Sequence, residues 1–185
     1  MAQTQDQLIP IEDLEQSQRW LQQALDSRGG EISLVNLLTT PIINFAFIWS
    51  CFENAASVQF PDEEHDIDVV LKAIDCYCPA EEVVNQVFNV FHNRFISGEL
   101  ANEKFTFLWP EKREKKRRNK VIKILSDNDM SLEKRNYACG LICLRLRNNL
   151  FHGVKDIATL DKQKRLLNCA EIYLESMTDT IMANK

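Results

Sequence analysis

Residues 131–151, SLEKRNYACGLICLRLRNNLF, decide the fold. Their central part, Tyr137–Leu144, is apolar on every side when it is projected as a helix. A helix that is apolar all round is typical of the interior of a bundle. Ser131 is placed to cap its N-terminus, and Gly153 is placed to end it after Phe151. The stretch therefore predicts a central, largely buried helix.

Helical patterns occupy most of the remaining chain. Leucine and isoleucine at helical spacing, followed by Gly29-Gly30, predict an amphipathic helix near the N-terminus. The other helices are predicted at about residues 41–57, 66–77, 81–97, from 111 onward, and 160–182. The segment 42–53 is apolar on nearly every side, so we expect that helix also to lie in the middle of the bundle. Residues 99–110 are predicted as a loop, with 105–109 as a possible short extended piece.

Composition supports one all-α domain. The 185 residues are 45% hydrophobic and include only five Gly and five Pro, which excludes collagenous, low-complexity and fully disordered chains. No internal repeat or Gly/Ser-rich linker divides the sequence. We predict a single bundle of six or seven helices over residues 1–185, with an N-terminal helical extension over 1–30 and a core at about 41–182.

Charge and hydropathy bear on the location of the protein. The net charge of −5 argues against a surface built as a whole to bind nucleic acid or an anionic membrane. Residues 1–10 lack the basic and apolar regions of a secretory signal, and the longest apolar run, near 42–51, is too short to span a bilayer. These features predict a cytoplasmic protein without a membrane partner.

The cysteines and short motifs give no signal for a cofactor. Six cysteines without an export signal are interpreted as reduced thiols. Cys76 and Cys78 form a single C-x-C pair, which lacks the ligand spacing of a tetrahedral zinc site. The fingerprints of phosphate-binding loops, dinucleotide sites, zinc proteases and serine hydrolases do not occur. We therefore expect neither a metal nor a cofactor.

The C-terminal end of the predicted central helix is polar, because Arg145, Arg147, Asn148, Asn149 and His152 follow the apolar run closely. Polar groups beside a core destabilise the fold unless they find partners or serve a function. Asn148 and His152 are four residues apart and share a helix face, with Arg147 beside them. This end is therefore a candidate site.

The residue types at this end suit metal-independent RNA cleavage. An imidazole with a pKa of about 6.5 exchanges protons near neutral pH, and a guanidinium binds a phosphate through paired hydrogen bonds. In such a reaction the 2′-hydroxyl attacks the neighbouring phosphate, the guanidinium offsets the growing negative charge, and the leaving 5′-oxygen takes a proton. One histidine cannot act as acid and base at once, so we expect a homodimer that pairs two copies of the site.

The segment Arg147–His152, RNNLFH, resembles the R-x-x-x-x-H motif of HEPN domains, a family of higher-eukaryote and prokaryote nucleotide-binding proteins. This resemblance implies an all-α, usually dimeric protein and a metal-independent endoribonuclease of toxin–antitoxin, phage-defence or RNA-processing systems. It implies that Arg147 and His152 are catalytic and that Asn148 supports them. In the family an acidic residue of an earlier helix often faces the motif helix, which implies that Glu53 pairs with Arg147 or Arg145.

Two alternatives remain open for this end of the helix. In the first, His152 has a structural role only: its imidazole lies at the end of the helix and interacts with the last carbonyl groups and the helix dipole. In the second, the whole domain is an inactive HEPN-like module that dimerises or binds a nucleotide, RNA or a partner protein. In that module Arg147 and Glu53 would form a structural salt bridge.

A basic run lies inside this acidic chain. It begins after Glu111, and its basic members are Lys112, Arg113, Lys115, Lys116, Arg117, Arg118 and Lys120. One interpretation is a solvated helix start with intrahelical ion pairs. The other is a surface that contacts an RNA backbone or an acidic, antitoxin-like protein. Neither use would provide sequence specificity for RNA or DNA.

Overall fold

Seven helices and one minimal hairpin make up the part of the chain that the computed structural model describes, residues 41–110, 112, 114–127, 129–151 and 164–184. In chain order they are α1 (Pro41–Gln59), α2 (Asp66–Cys76), α3 (Glu81–Phe95), β1 (Ile96–Ser97), β2 (Leu100–Ala101), α4 (Glu103–Leu108), α5 (Lys115–Leu125), α6 (Leu132–Phe151) and α7 (Lys164–Ala183). The prediction of an all-α protein is confirmed. The helix predicted near the N-terminus lies outside the described residues.

Helix α6 lies at the centre of the bundle, as predicted. It packs against α2, α3, α4, α5 and α7, and every residue from Ala138 to Leu146 is buried. Gly140 sits where α6 meets α2, and a Cβ added there would come within 2.7 Å of the Ile74 side chain. Glycine at this position therefore allows the two helices to approach closely.

A buried polar network joins α6 to α2 and α7. Asn136 donates from Nδ2 to the carbonyl oxygens of Ile74, at 3.0 Å, and Tyr77, at 2.8 Å. These carbonyl groups lie at the C-terminal end of α2, where no further helical turn provides N–H donors for them. The Asn136 amide supplies these donors instead. The Tyr173 hydroxyl of α7 donates to Asn136 Oδ1 at 2.8 Å. Three helices are thus held in register by one buried amide.

Helix α1 differs from its predicted place in the middle of the bundle. It packs mainly along α7 and α2, and it buries Phe45, Trp49 and Phe52 on that side. Its opposite face leaves Phe47 69% exposed. The apolar composition of a helix does not specify how many neighbours it has, which is why the prediction was wrong. No helix in the described ranges is both long and apolar enough to cross a bilayer.

The segment after α3 is more ordered than the predicted loop. Gly98, with φ of 64°, occupies the two-residue turn of the hairpin that pairs Ser97 with Leu100, because glycine adopts positive φ without steric penalty. Residues 103–108 then form a helix rather than an extended piece. The Asn102 side chain accepts hydrogen bonds from the backbone N–H groups of Lys104 and Phe105. This N-cap stabilises a helix too short to show a periodic pattern.

Candidate functional site at the C-terminal end of α6

Arg147 is the central side chain of the polar end of α6. Its Nη2 lies 3.4 Å from Glu53 Oε1 of α1, and both side chains are 29% exposed. Its guanidinium carbon lies 6.0 Å from the centre of the buried Trp49 ring. Opposite charge and an aromatic face both favour a cation at this position. Of the two expected partners of Glu53, Arg147 is the one that the structure places beside it.

Asn148 is placed beside the same guanidinium. Its Oδ1 accepts a hydrogen bond from Arg147 Nη1 at 3.3 Å, and its side chain is half-buried. A carboxamide that accepts from arginine through its oxygen keeps its NH₂ group for another acceptor. Glu53, Arg147 and Asn148 are therefore together, whereas His152 and Gly153 lie outside the described residues.

Arg145 has a different role from Arg147. It is buried, its Nη1 lies 3.5 Å from Glu114 Oε2, and its guanidinium carbon lies 5.4 Å from the centre of the Trp109 ring. Glu114 also accepts a hydrogen bond from Arg117 Nη1 at 2.8 Å. Glu114 thus connects the N-terminal end of α5 to α6. Its backbone, with φ of 46°, is left-handed, a conformation that a non-glycine residue rarely adopts.

Asn149 anchors α4 to this end of α6. Its Nδ2 donates to the Leu108 carbonyl oxygen at 2.7 Å. That carbonyl belongs to the last residue of α4, so the amide takes the place of a missing helical donor. The ends of α4 and α6 and the start of α5 therefore lie together around Arg145 and Asn149.

The basic run divides into exposed and buried members. Lys112, Lys115, Lys116 and Lys120 are exposed, although Lys120 Nζ lies 3.7 Å from the centre of the Tyr137 ring. Arg118, which was among the predicted RNA- or partner-binding residues, differs from these lysines. It is only 8% exposed, and its Nε donates to the Trp109 carbonyl oxygen at 3.0 Å. Arg113 lies outside the described residues.

The cysteines behave as core and surface thiols. Burial raises the pKa of the Cys139 and Cys143 thiols above the ordinary value, so both stay protonated in the interior of α6. Cys76 is exposed and Cys78 is half-buried. No three His, Cys, Asp or Glu side chains among the described residues are grouped so that they could hold a metal ion.

The structure also has a surface depression, away from the C-terminal end of α6, that the sequence did not indicate. An open depression of about 380 Å³ is lined by Glu99, Asn119, Ile122, Lys123, Ser126 and Asp127. It lies at the C-terminal end of α5, whereas Glu114 and the polar end of α6 lie at the N-terminal end of α5. None of the predicted site residues lines it.

No family model, curated protein or solved structure matches the chain. Membership of the HEPN family therefore stays a prediction based on RNNLFH and its helical context.

Proposed function

We propose that this protein is a metal-independent endoribonuclease of HEPN type that cleaves single-stranded RNA. The observation that carries the proposal is the position of Arg147. It sits at the end of a buried helix, held by Glu53 at 3.4 Å, with 29% of its side chain open to solvent. A guanidinium presents several N–H donors in one plane, and this geometry suits it to bind a phosphate through paired hydrogen bonds.

In the proposed reaction His152 and Arg147 have separate roles. A base removes the proton of the RNA 2′-hydroxyl, and the 2′-oxygen forms a new bond to the adjacent phosphorus. The bond from phosphorus to the 5′-oxygen breaks, and His152 donates a proton to that oxygen. Arg147 offsets the negative charge on the phosphate oxygens. The products are a 2′,3′-cyclic phosphate and a 5′-hydroxyl end.

Asn148 and Glu53 support Arg147 in this mechanism. Asn148 Oδ1 accepts from Arg147 Nη1, and Glu53 Oε1 faces Nη2. These two contacts restrict the guanidinium to a narrow set of orientations, which favours productive alignment with the phosphate.

The proposal also includes the biological setting that the resemblance implies. We infer a cytoplasmic homodimer in which the second copy of His152 is the base, since one imidazole cannot give and take a proton in the same step. A toxin or defence role would require an antitoxin-like protein to restrain the nuclease. The basic surface of α5 is suited to RNA or to an acidic partner of this kind.

A cleavage assay in EDTA tests the nuclease assignment. The wild type is expected to cleave single-stranded RNA and to leave cyclic phosphate ends, while Arg147→Ala and His152→Ala are expected to lose that activity. Arg165→Ala and His65→Ala are matched controls, because both residues are exposed on other helices or their caps. Equal cleavage by all five proteins would show that the activity resides elsewhere, and absence of cleavage by the wild type would reject the proposal.

The second candidate is an inactive HEPN-like interaction module. The ion pair between Glu53 and Arg147 favours it, because the guanidinium already has a charged partner and an aromatic neighbour inside the protein. This candidate predicts no turnover of RNA and a lower melting temperature for Arg147→Ala. A stable Arg147→Ala variant that has lost a wild-type cleavage activity would favour the nuclease instead.

A further inference from the structure

Phe107 is an aromatic side chain without a packing partner in the core. It is 88% exposed, the largest exposed fraction among the large apolar side chains of the described residues. Its neighbours Phe105, Leu108 and Trp109 are buried, so α4 turns one face to the core and presents Phe107 on the other.

The backbone beneath Phe107 is fixed at both ends. The Asn102 side chain caps α4 and also donates from Nδ2 to the Arg94 carbonyl oxygen at 3.0 Å. At the other end the carbonyl of Leu108 accepts from Asn149 Nδ2 at 2.7 Å. Only two side-chain torsions of Phe107 remain to be ordered on binding, so its ring can form a contact at small entropic cost.

These contacts also place α4, the helix that carries Phe107, at the same end of the bundle as the candidate site. Asn149, which holds the end of α4, follows Arg147 by two residues on α6. Glu114, which holds the start of α5, contacts Arg145 on the same stretch of α6. The end of α4, the beginning of the basic helix and the last turns of α6 are therefore neighbours.

The sequence at the start of α5 is basic. Six of the 22 Lys and Arg residues, and only one of the 27 acidic ones, fall within residues 112–118. Lys104 lies three residues before Phe107 on α4, and both are exposed, which puts a cation and an aromatic ring on one face. Within the described part of the chain, Lys115 and Lys116 have no ion-pair partner, so their charges are available to an external anion.

We propose that Phe107 stacks against a base of single-stranded RNA and that the exposed lysines around it contact the flanking phosphates. This inference rests on the proposed function for the identity of the polymer, and it extends that function by naming a base-binding position outside the cleavage site. An aromatic ring beside a positive surface is the usual arrangement for binding single strands, because every base has a face on which to stack. Arg118 takes no part, because its guanidinium is committed to Trp109.

Binding to an uncleavable oligonucleotide tests the inference apart from catalysis. A fluorescent, fully 2′-O-methylated 12-nucleotide RNA has no free 2′-hydroxyl to attack the phosphate, so its anisotropy reports binding alone. Phe107→Ala is expected to weaken binding by about 5-fold to 150-fold, the range for loss of one stacked base. Phe107→Trp is expected to retain it. Because the side chain is 88% exposed, neither change should affect folding, which circular dichroism checks.

Leu100→Ala is the matched control. Leu100 is 75% exposed on the neighbouring hairpin, but it has no ring to stack, so its truncation should leave affinity unchanged. An oligonucleotide with abasic positions should bind the wild type and Phe107→Ala equally. Equal affinity of the wild type and Phe107→Ala for the intact oligonucleotide would overturn the inference. So would an equal loss in Leu100→Ala, which would indicate that exposed apolar area in general, and not a stacked ring, contributes to oligonucleotide binding.

The same proteins separate the two proposals. If the wild type binds the oligonucleotide in a Phe107-dependent way but cleaves no RNA, the ribonuclease assignment fails and the stacking role stands. If RNA is cleaved and Phe107→Ala changes neither binding nor KM, the stacking role fails and the ribonuclease stands. Absence of both binding and cleavage rejects both.

Discussion

Glu53 Oε1 and Arg147 Nη2 lie 3.4 Å apart and join α1 to the polar end of α6. Because both side chains are partly exposed, water screens the attraction. A double-mutant cycle with Glu53→Gln and Arg147→Met is therefore expected to give a coupling energy of only about 0.5–1 kcal/mol. Urea denaturation measures it, and strictly additive effects would show that the pair contributes nothing to stability.

The same pair has a separate consequence for the proposed nuclease. Glu53→Gln removes the charge that orients Arg147, so kcat is expected to fall by about 10-fold to 100-fold while KM changes little. Glu63→Gln is the control, because Glu63 forms an ion pair with Lys72 on a different part of the surface. An equal fall of kcat in both variants would argue against a positioning role.

Gly140→Ala is expected to destabilise the fold despite the higher helix propensity of alanine. The new Cβ would meet the buried Ile74 side chain at 2.7 Å, and relieving that overlap should leave a net loss of about 1–2 kcal/mol in the free energy of unfolding. Ile74→Ala should be less damaging in the Gly140→Ala protein than in the wild type, since it makes room for the methyl group. Thermal or urea unfolding of the four proteins gives the comparison.

Tyr173→Phe is expected to lower the free energy of unfolding by about 1–3 kcal/mol, because Asn136 Oδ1 would lose its donor in the interior. The control is Tyr137→Phe, whose hydroxyl has no hydrogen-bond partner among the described residues. That change should alter stability by less than about 0.5 kcal/mol. Similar losses in the two variants would indicate that the hydrogen bond between Tyr173 and Asn136 does not stabilise the fold.

The raised pKa of Glu171 predicts that the stability of the fold depends on pH. Burial, reinforced by the nearby Glu175 carboxylate, raises its pKa from 4.5 to about 7. Between these values the folded chain holds a proton that the unfolded chain has released, so the contribution of Glu171 to stability falls as the pH rises through this window. Glu171→Gln is therefore expected to raise the melting temperature relative to the wild type at pH 8 and to change it little below pH 4.5.

The control for this prediction lies on the same helix. Asp179→Asn removes an exposed carboxylate of α7, so its difference from the wild type should not vary with pH in this way. A Glu171→Gln difference that is constant from pH 4 to pH 8 would contradict the pKa shift as its source.

The sequence alone predicted the helical class and the burial of α6. Both follow from local information, because the side chains of Tyr137–Leu144 are apolar in every direction whatever surrounds them. The polar residues that follow this apolar run indicated a candidate site at the end of the helix, and this too is local information. The short helix α4 was missed because its six residues are too few for periodicity, although Asn102 at its N-cap was a usable signal.

Only the tertiary structure decided which groups meet. It separated Arg145, buried against Glu114, from Arg147, beside Glu53, although the two arginines are only two residues apart. It buried Arg118 within a basic run and exposed Phe107 within an apolar one. Such outcomes depend on contacts between residues distant in the chain, which composition and spacing along one helix do not encode.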